Sequence, residues 1–317
     1  MTSEETVVLA LGGNAISQEG EEGNIYQQFT NTRRSMDAVL DIVAMGKKVL
    51  ITHGNGPQVG NELIRVESAL SVAPDIPLGV LVGDTQGGMG YMIEQCLVNM
   101  LHDRGMDRQT ACLITQTLVD PADPSFRDPD KFVGRFYHEA EAREIMSERG
   151  WRMKEDKGRG WRRVVPSPQP LSILQKDIIR LLLDRDILVV AAGGGGVPVY
   201  LEDNGWLEGV DAVVDKDLAS AVLGNEIGAQ TLMILTGVEK VALDFATPQQ
   251  RFVDRLTLQE ARQYLKAGQF PAGSMGPKIR AAIRFLENGG RRVIITSIEK
   301  ASAAISGDGG TTLLAED

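Results

Sequence analysis

Five short apolar runs, most of them closing on glycine and leading into helix-forming sequence, constrain this chain more than any other feature. Thr6-Val7-Val8-Leu9-Ala10-Leu11 ends in Gly12-Gly13-Asn14-Ala15, and Lys48-Val49-Leu50-Ile51-Thr52 ends in His53-Gly54-Asn55-Gly56-Pro57. Ile187-Leu188-Val189-Val190-Ala191-Ala192 runs into four glycines, 193–196, and Thr231-Leu232-Met233-Ile234-Leu235 into Thr236-Gly237. Arg292-Val293-Ile294-Ile295-Thr296 opens the last such unit. The runs are apolar throughout rather than alternating, as strands buried on both faces must be. Between them, Met36, Val39, Leu40 and Val43 form one helical stripe before Gly46. Met89, Met92, Ile93, Cys96, Leu97, Met100 and Leu101 form another before Gly105. Further helices are expected over 171–184, 217–227, 258–266 and 277–287. Strands alternating with helices give an α/β fold, a mostly parallel sheet covered on both faces.

Composition narrows the function. The 317 residues suit two domains or one large α/β unit. A formal charge of −10 and 5% aromatic residues leave neither a basic face for phosphate backbones nor stacking platforms for bases, so no nucleic-acid partner is expected. With two cysteines and three histidines, neither a disulfide framework nor a Cys- or His-rich metal site is expected. Cys96 lies on a helical stripe and Cys112 in a strand-like run, so both read as core thiols. Glu4 and Glu5 stand where a signal peptide carries basic residues, and the longest apolar stretch, 187–199, is broken by four glycines and Pro198. A cytoplasmic protein with no membrane partner is the expectation.

One segment, 120–163, differs. It carries 11 basic and 10 acidic residues, three prolines and four glycines, and seven of its basic residues fall between Arg149 and Arg163. A solvated surface insertion is the simpler reading. A flap that brings cations over an anionic substrate is the sharper one.

Glycine lets backbone N–H groups approach an anion, and a following helix adds its positive end. In an open parallel sheet, glycine loops at the carboxyl ends of strands share one edge, where ligands bind. No G-x-x-x-x-G-K-[ST] or dinucleotide G-x-G-x-x-G occurs, and the protein-kinase H-R-D and D-F-G pair is missing. Two lysines stand out. Lys216 lies between Asp215 and Asp217 at the start of a helix, and Lys278 follows Gly273-Ser274-Met275-Gly276-Pro277. A cation at a helix N-terminus is unfavourable unless an anion arrives to balance it. Each also reads as an ordinary surface lysine.

Six motifs together resemble the carbamate kinases of the amino acid kinase family. They are Leu11-Gly12-Gly13-Asn14-Ala15, His53-Gly54-Asn55-Gly56-Pro57-Gln58-Val59-Gly60, Arg163-Val164-Val165-Pro166-Ser167-Pro168, the stretch 193–198, Val213-Val214-Asp215-Lys216-Asp217, and the stretch 273–278. The resemblance runs in order from about residue 6 to residue 312. It implies a three-layer αβα sandwich around a mostly parallel sheet, with a small protruding subdomain at about 120–163. It assigns carbamate or carbamoyl phosphate to an N-terminal part, 1–218, and the nucleotide to a C-terminal part, 219–317. The implied reaction is ATP + carbamate ⇌ ADP + carbamoyl phosphate, running toward ATP in catabolic settings such as arginine catabolism. Mg²⁺ is expected with the nucleotide rather than on protein ligands, and the assembly is expected to be a homodimer.

By the same resemblance, Lys216 and Lys278 stabilise the transferring phosphoryl group, Asp217 orients them, and Lys131 reaches in from the flap. Gly12, Gly13, Gly54, Gly193 and Gly194 line the phosphate site, with the Gly12, Gly13 and Gly54 amides as its cradle. Asn14 and Asn55 hold the substrate, and Thr236, Gly237, Val238 and Met275 meet the nucleotide. Arg135 stands where the family usually has proline, and Asp84 where it usually has an uncharged residue. Carbamate is already an oxyanion, so the reaction needs alignment and charge neutralisation rather than a general base. His53 is accordingly read as scaffold. Two other readings fit the residues: a kinase of this fold with another acceptor, and a non-catalytic binder.

Overall fold

The computed structural model describes residues 5–18, 20–156, 158–271 and 273–316; the side chain of Asn14 lies outside the described part. All five apolar runs are strands of one sheet. Its eight strands lie in the order 255–257, 311–314, 292–296, 231–235, 6–11, 48–53, 188–190 and 110–112. Neighbours are parallel except 292–296 with 311–314. The first strand, Thr6–Leu11, pairs on one side with 48–53 and on the other with 231–235, so one sheet joins the two halves of the chain.

Nine helices are described: α1 (Ile25–Ala44), α2 (Gly56–Ala69), α3 (Leu78–Asp103), α4 (Glu139–Arg149), α5 (Lys176–Asp184), α6 (Lys216–Glu226), α7 (Leu258–Lys266), α8 (Met275–Glu287) and α9 (Ala301–Ile305). The period-2 alternation of the strands sorts the core into two layers. Val7, Leu9, Val49, Ile51 and Met233 face α1, α3 and α9. Val8, Ala10, Leu50, Leu232 and Ile234 face α5, α6, α7 and α8. This is the expected three-layer αβα sandwich. The boundary at 218 falls inside α6. No described helix is long and apolar enough to cross a membrane.

One helix is shorter than its periodicity suggests. Residues 170–173 are a strand paired antiparallel with 116–119, and α5 begins only at Lys176. Leu171 and Ile173 fit either period. The Glu226 carboxylate decides, accepting from the Ile173 N–H and the Ser172 hydroxyl across a long sequence gap. Both cysteines are free, and burial raises the Cys96 thiol and pushes Cys112 up to about 11, as inert core thiols.

The odd segment folds. Strands 131–137, 161–165 and 153–155 form an antiparallel sheet that, with α4, encloses Tyr137, Ala142 and Met153. Most of its basic residues serve this subdomain. Arg149 and Arg163 stack on Trp151, Arg159 and Arg162 on Phe136, and Lys154 pairs with Asp128. Arginine suits such stacking, because its guanidinium is planar and weakly hydrated.

The glycine run 193–196 is where the backbone has least freedom. Gly195 has φ +88°, and a Cβ there would lie 2.4 Å from the Val214 carbonyl oxygen. Gly195→Ala should therefore destabilise the fold by about 2 kcal/mol or more, combining a left-handed conformation with a backbone clash. Gly87→Ala, within α3 and with open space around its Cβ, should instead stabilise by up to about 1 kcal/mol. Equilibrium denaturation of the two variants checks the contrast.

Candidate active site

The carboxyl ends of strands 6–11, 48–53 and 231–235 bring their loops side by side. Gly12 donates its N–H to the Leu235 carbonyl at 3.0 Å, and Gly54 donates to Leu11 at 3.1 Å. A Cβ on Gly12 would sit 2.8 Å from that Leu235 oxygen, so the loop packs this closely only with glycine. These bonds correct part of the expected phosphate cradle: the Gly12 and Gly54 amides close the strand ends. Gly13 opens a short 3₁₀ turn over Gly13–Ala15, and its backbone nitrogen lies 3.6 Å from where a Gly54 Cβ would be.

Gly193 and Gly194 stand behind these loops. Both are buried, and a Cβ would fall 2.5 Å from His53 Nε2 at Gly193 and 2.1 Å from Asn55 Nδ2 at Gly194. Without side chains, they let the run pack behind loop 53–55 and shape it. Gln86 and Thr115 tie this layer together. The Thr115 N–H and hydroxyl both donate to Gln86 Oε1, and the Ala192 N–H donates to the Thr115 hydroxyl. Asn55 is buried and donates to the Thr85 hydroxyl at 2.9 Å.

At the centre is Asp217, 3% exposed, with Lys216 on one carboxylate oxygen and Lys278 on the other at 3.1 Å. Burial alone would raise the Asp217 pKa, but the charges and hydrogen bonds of the two lysines outweigh it and hold the carboxyl below its usual range. The Lys216 stem lies against Gly54, its Cδ 3.4 Å from a built Cβ, which places the ammonium group beside the glycine loops. Helix α6 packs into the core through Leu218, Ala219, Ala221 and Leu223, and two polar features fix its start. Asp215 caps it, accepting from the Asp217 and Leu218 amides at 2.9 and 3.3 Å, and Ser220 bonds Thr52 at 2.7 Å. The other Asp215 oxygen meets Lys131 at 3.4 Å, so the subdomain's lysine arrives at the same helix start.

Lys278 also borders a cavity of about 190 Å³ with Thr236, Val238, Met275, Lys240, Ala242, Phe245, Phe252, Pro271 and Ser274. Most of this lining is apolar, and Val238, Phe245 and Phe252 are exposed, a surface suited to a planar ring. Three of the four expected nucleotide residues line it; Gly237 is exposed beside them. Sequence reasoning missed Asp215, Lys240, Phe245 and Phe252. Asp215 was legible as a helix-capping residue, but the aromatics lie in short strands and loops without a period. Asp84 is exposed and lines a different cavity with Asn24, Gln28 and Arg65, to which none of the lysines contributes.

A buried lysine–carboxylate–lysine cluster, set between glycine loops at a sheet edge and an apolar cleft, defines a small-molecule phosphotransferase of this α/β class. The amino acid kinase family model matches residues 5–297, and the chain belongs to that family. Within it, the chain groups with the carbamate kinases. It is 47% identical to the carbamate kinase of Pyrococcus horikoshii over 309 residues, 97% of this chain and 98% of that one. It is 43% identical to the carbamate kinase-like protein YahI of Escherichia coli over 313 residues, 98% of this chain and 99% of that one. The structure of Giardia lamblia carbamate kinase bound to AMP-PNP superposes with a TM-score of 0.94 at 42% identity, covering 100% of both chains.

His53 is 1% exposed, and its Nδ1 pairs with the Gly54 carbonyl at 3.1 Å. Burial carries its pKa down to about 4, with the nearby Lys216 charge adding to the effect and the Gly54 hydrogen bond opposing it. It is neutral at physiological pH, which suits a scaffold residue. The unfolded chain protonates this imidazole near pH 6.5, the folded one only near 4. Between those values the unfolded state binds more protons, so stability falls as pH drops through the window, by about 3 kcal/mol in all. His53→Gln should lack this component. Urea unfolding from pH 7.5 to 4.5 should show the stability difference between wild type and variant shrinking as pH falls; a constant difference would contradict a buried neutral imidazole.

Proposed function

We propose that this chain catalyses ATP + carbamate ⇌ ADP + carbamoyl phosphate, and that the buried Asp217 with its two lysines carries the reaction. Carbamate brings its own nucleophilic oxygen, so no base is required, in keeping with a neutral His53. Lys216 and Lys278 neutralise charge on the transferring phosphoryl group, and Asp217 fixes their ammonium groups for an in-line transfer. The Gly13 amide, Asn14 and Asn55 hold the carbamate or carbamoyl phosphate end. Residues 1–218 form the substrate half and 219–317 the nucleotide half, a division supported by the apolar cleft, whose lining all follows residue 235. Among the described residues, no group of three or more His, Cys, Asp or Glu is arranged around a metal position, and Asp217 is committed to lysines. That donor set fits Mg²⁺ held by nucleotide phosphates and water, with Lys278 alongside. When bound there, Mg²⁺ offsets phosphate charge.

Three further assignments go with this reading. The enzyme works toward ATP where carbamoyl phosphate is supplied. It is a homodimer, supported by the exposed Ile178 and Leu181 one turn apart on α5. It acts in the cytoplasm, supported by two unpaired thiols. A coupled assay for ATP formed from ADP and carbamoyl phosphate tests the reaction itself. Turnover with another acyl phosphate and none with carbamoyl phosphate would overturn it.

Lys216→Ala and Lys278→Ala should each lower kcat by about 10²–10³, the range for losing one electrostatic contact made to the transition state. Steady-state kinetics decide; a raised KM at near-normal kcat would mean ground-state binding instead. Lys131→Ala should lower kcat/KM for carbamoyl phosphate while ADP affinity, read by calorimetry, stays within about threefold, because Lys131 sits on the substrate side.

A further inference from the structure

Lys131 opens the strand Lys131–Tyr137, and the far end of that strand is fastened to the main body. The phenol of Tyr137, 4% exposed, donates to Glu67 Oε2 at 2.7 Å, and Glu67 lies near the C-terminal end of α2. The guanidinium of Arg135 lies 4.3 Å from the Tyr137 ring centroid, 3.9 Å from the same Glu67 oxygen and 2.9 Å from Glu141. Burial, and then the Glu67 hydrogen bond, pushes the Tyr137 phenol up to about 12, so it remains a donor.

The strand between these ends is not regular. Its register with 161–165 shifts between Val133 and Tyr137, and Gly134 there has φ +72°. Arg162 donates twice to the Gly134 carbonyl and holds the bulge. A bulge re-aims the residues that follow it. Here those residues, Arg135 and Tyr137, carry the contacts to Glu67. Before the bulge, Val133 packs with Val59 and Leu63 of α2, and Gly134 passes within 4.0 Å of where a Gly60 Cβ would be. The same helix begins with the loop 53–56, beside Lys216. The strand is thus laid along α2, anchored by apolar packing in its middle and by the Tyr137–Glu67 hydrogen bond at its end.

We propose that Tyr137 and Glu67 are positioning residues for the reaction: their hydrogen bond fixes the tilt of the strand and so aims Lys131 at the start of α6. The inference rests on the substrate-side role given to Lys131 above. Six residues of strand span at most about 20 Å, so a tilt of about 5° at the anchored end moves the Lys131 backbone by about 2 Å. Misplacement on that scale is costly to a group that must meet a developing charge. Lys131 lies 3.4 Å from Asp215 and has a side chain 40% exposed, so little besides its strand holds it.

The test is a double-mutant cycle in the full-length enzyme. Tyr137→Phe keeps the ring packing and removes the donor. It should lower kcat/KM for carbamoyl phosphate about tenfold, with ADP affinity by calorimetry within about twofold. Combined with Lys131→Ala, it should add less than about twofold to the loss from Lys131→Ala alone, because the lysine it aims is gone. Glu67→Ala should show the same loss and the same lack of additivity, which keeps the test open if one variant does not fold. Glu67→Gln retains an oxygen acceptor and should lie within about threefold of wild type. Losses that multiply with Lys131→Ala, wild-type turnover in Tyr137→Phe, or Glu67→Gln as impaired as Glu67→Ala would each overturn the proposal while leaving the role of Lys131 standing. Wild-type turnover in Lys131→Ala would overturn that role, and this inference with it.

Discussion

The rest of the site depends on one buried carboxylate shared by two ammonium groups. Asp217 is 3% exposed and sits in the first turn of α6, where the helix end favours a negative charge. Lys278 sits in the first turn of α8, where the helix end disfavours its own charge. Joining the two across the sheet edge offsets the unfavourable placement of Lys278 and brings α6 and α8 together at their N-termini. A buried charge left without its partner is strongly destabilising, so the cluster ties the geometry of the two helices to each other. In it one carboxylate faces two cations.

Close approach is the second constraint. The cluster lies beside the glycine loops only because the loops themselves pack without side chains. Gly12 lies against the Leu235 carbonyl, Gly54 against the Lys216 stem, and Gly193 and Gly194 against His53 and Asn55. The layering is consistent: the outer glycines let neighbouring strand ends and the Lys216 stem approach, and the inner ones let a second loop support the first. The neutral imidazole of His53 belongs to this inner layer. Its burial beside a lysine removes it from proton chemistry.

The subdomain answers a different requirement. A lysine delivered from an insertion needs a rigid carrier, and the carrier here uses the segment's own charges. Its arginines stack on Trp151 and Phe136 and bond Asp156 and Gly134, so the basic excess of 149–163 stiffens a small sheet. Of the described cations between 131 and 163, Lys131 is the one bonded to a residue at the start of α6.

The sequence by itself determined the layers. Apolar runs with no polar alternation can only be buried on both faces, and their closing glycines marked one sheet edge as the candidate site. Lys216, Asp217 and Lys278 were legible because each stands at a glycine turn or a helix start, where local rules assign meaning to a charge. Tertiary structure decided what local rules leave open. Residues 170–173 became strand rather than helix because Glu226, more than fifty positions away, accepts their donors. The Gly12 and Gly54 amides looked free for an anion until the neighbouring strands claimed them. Phe245 and Phe252 joined the apolar cleft beside Lys278, and Tyr137 met Glu67, through contacts between separate elements of the chain. A residue's period and neighbours reveal which face it occupies; which distant partner it meets there depends on how the whole sheet and its helices close.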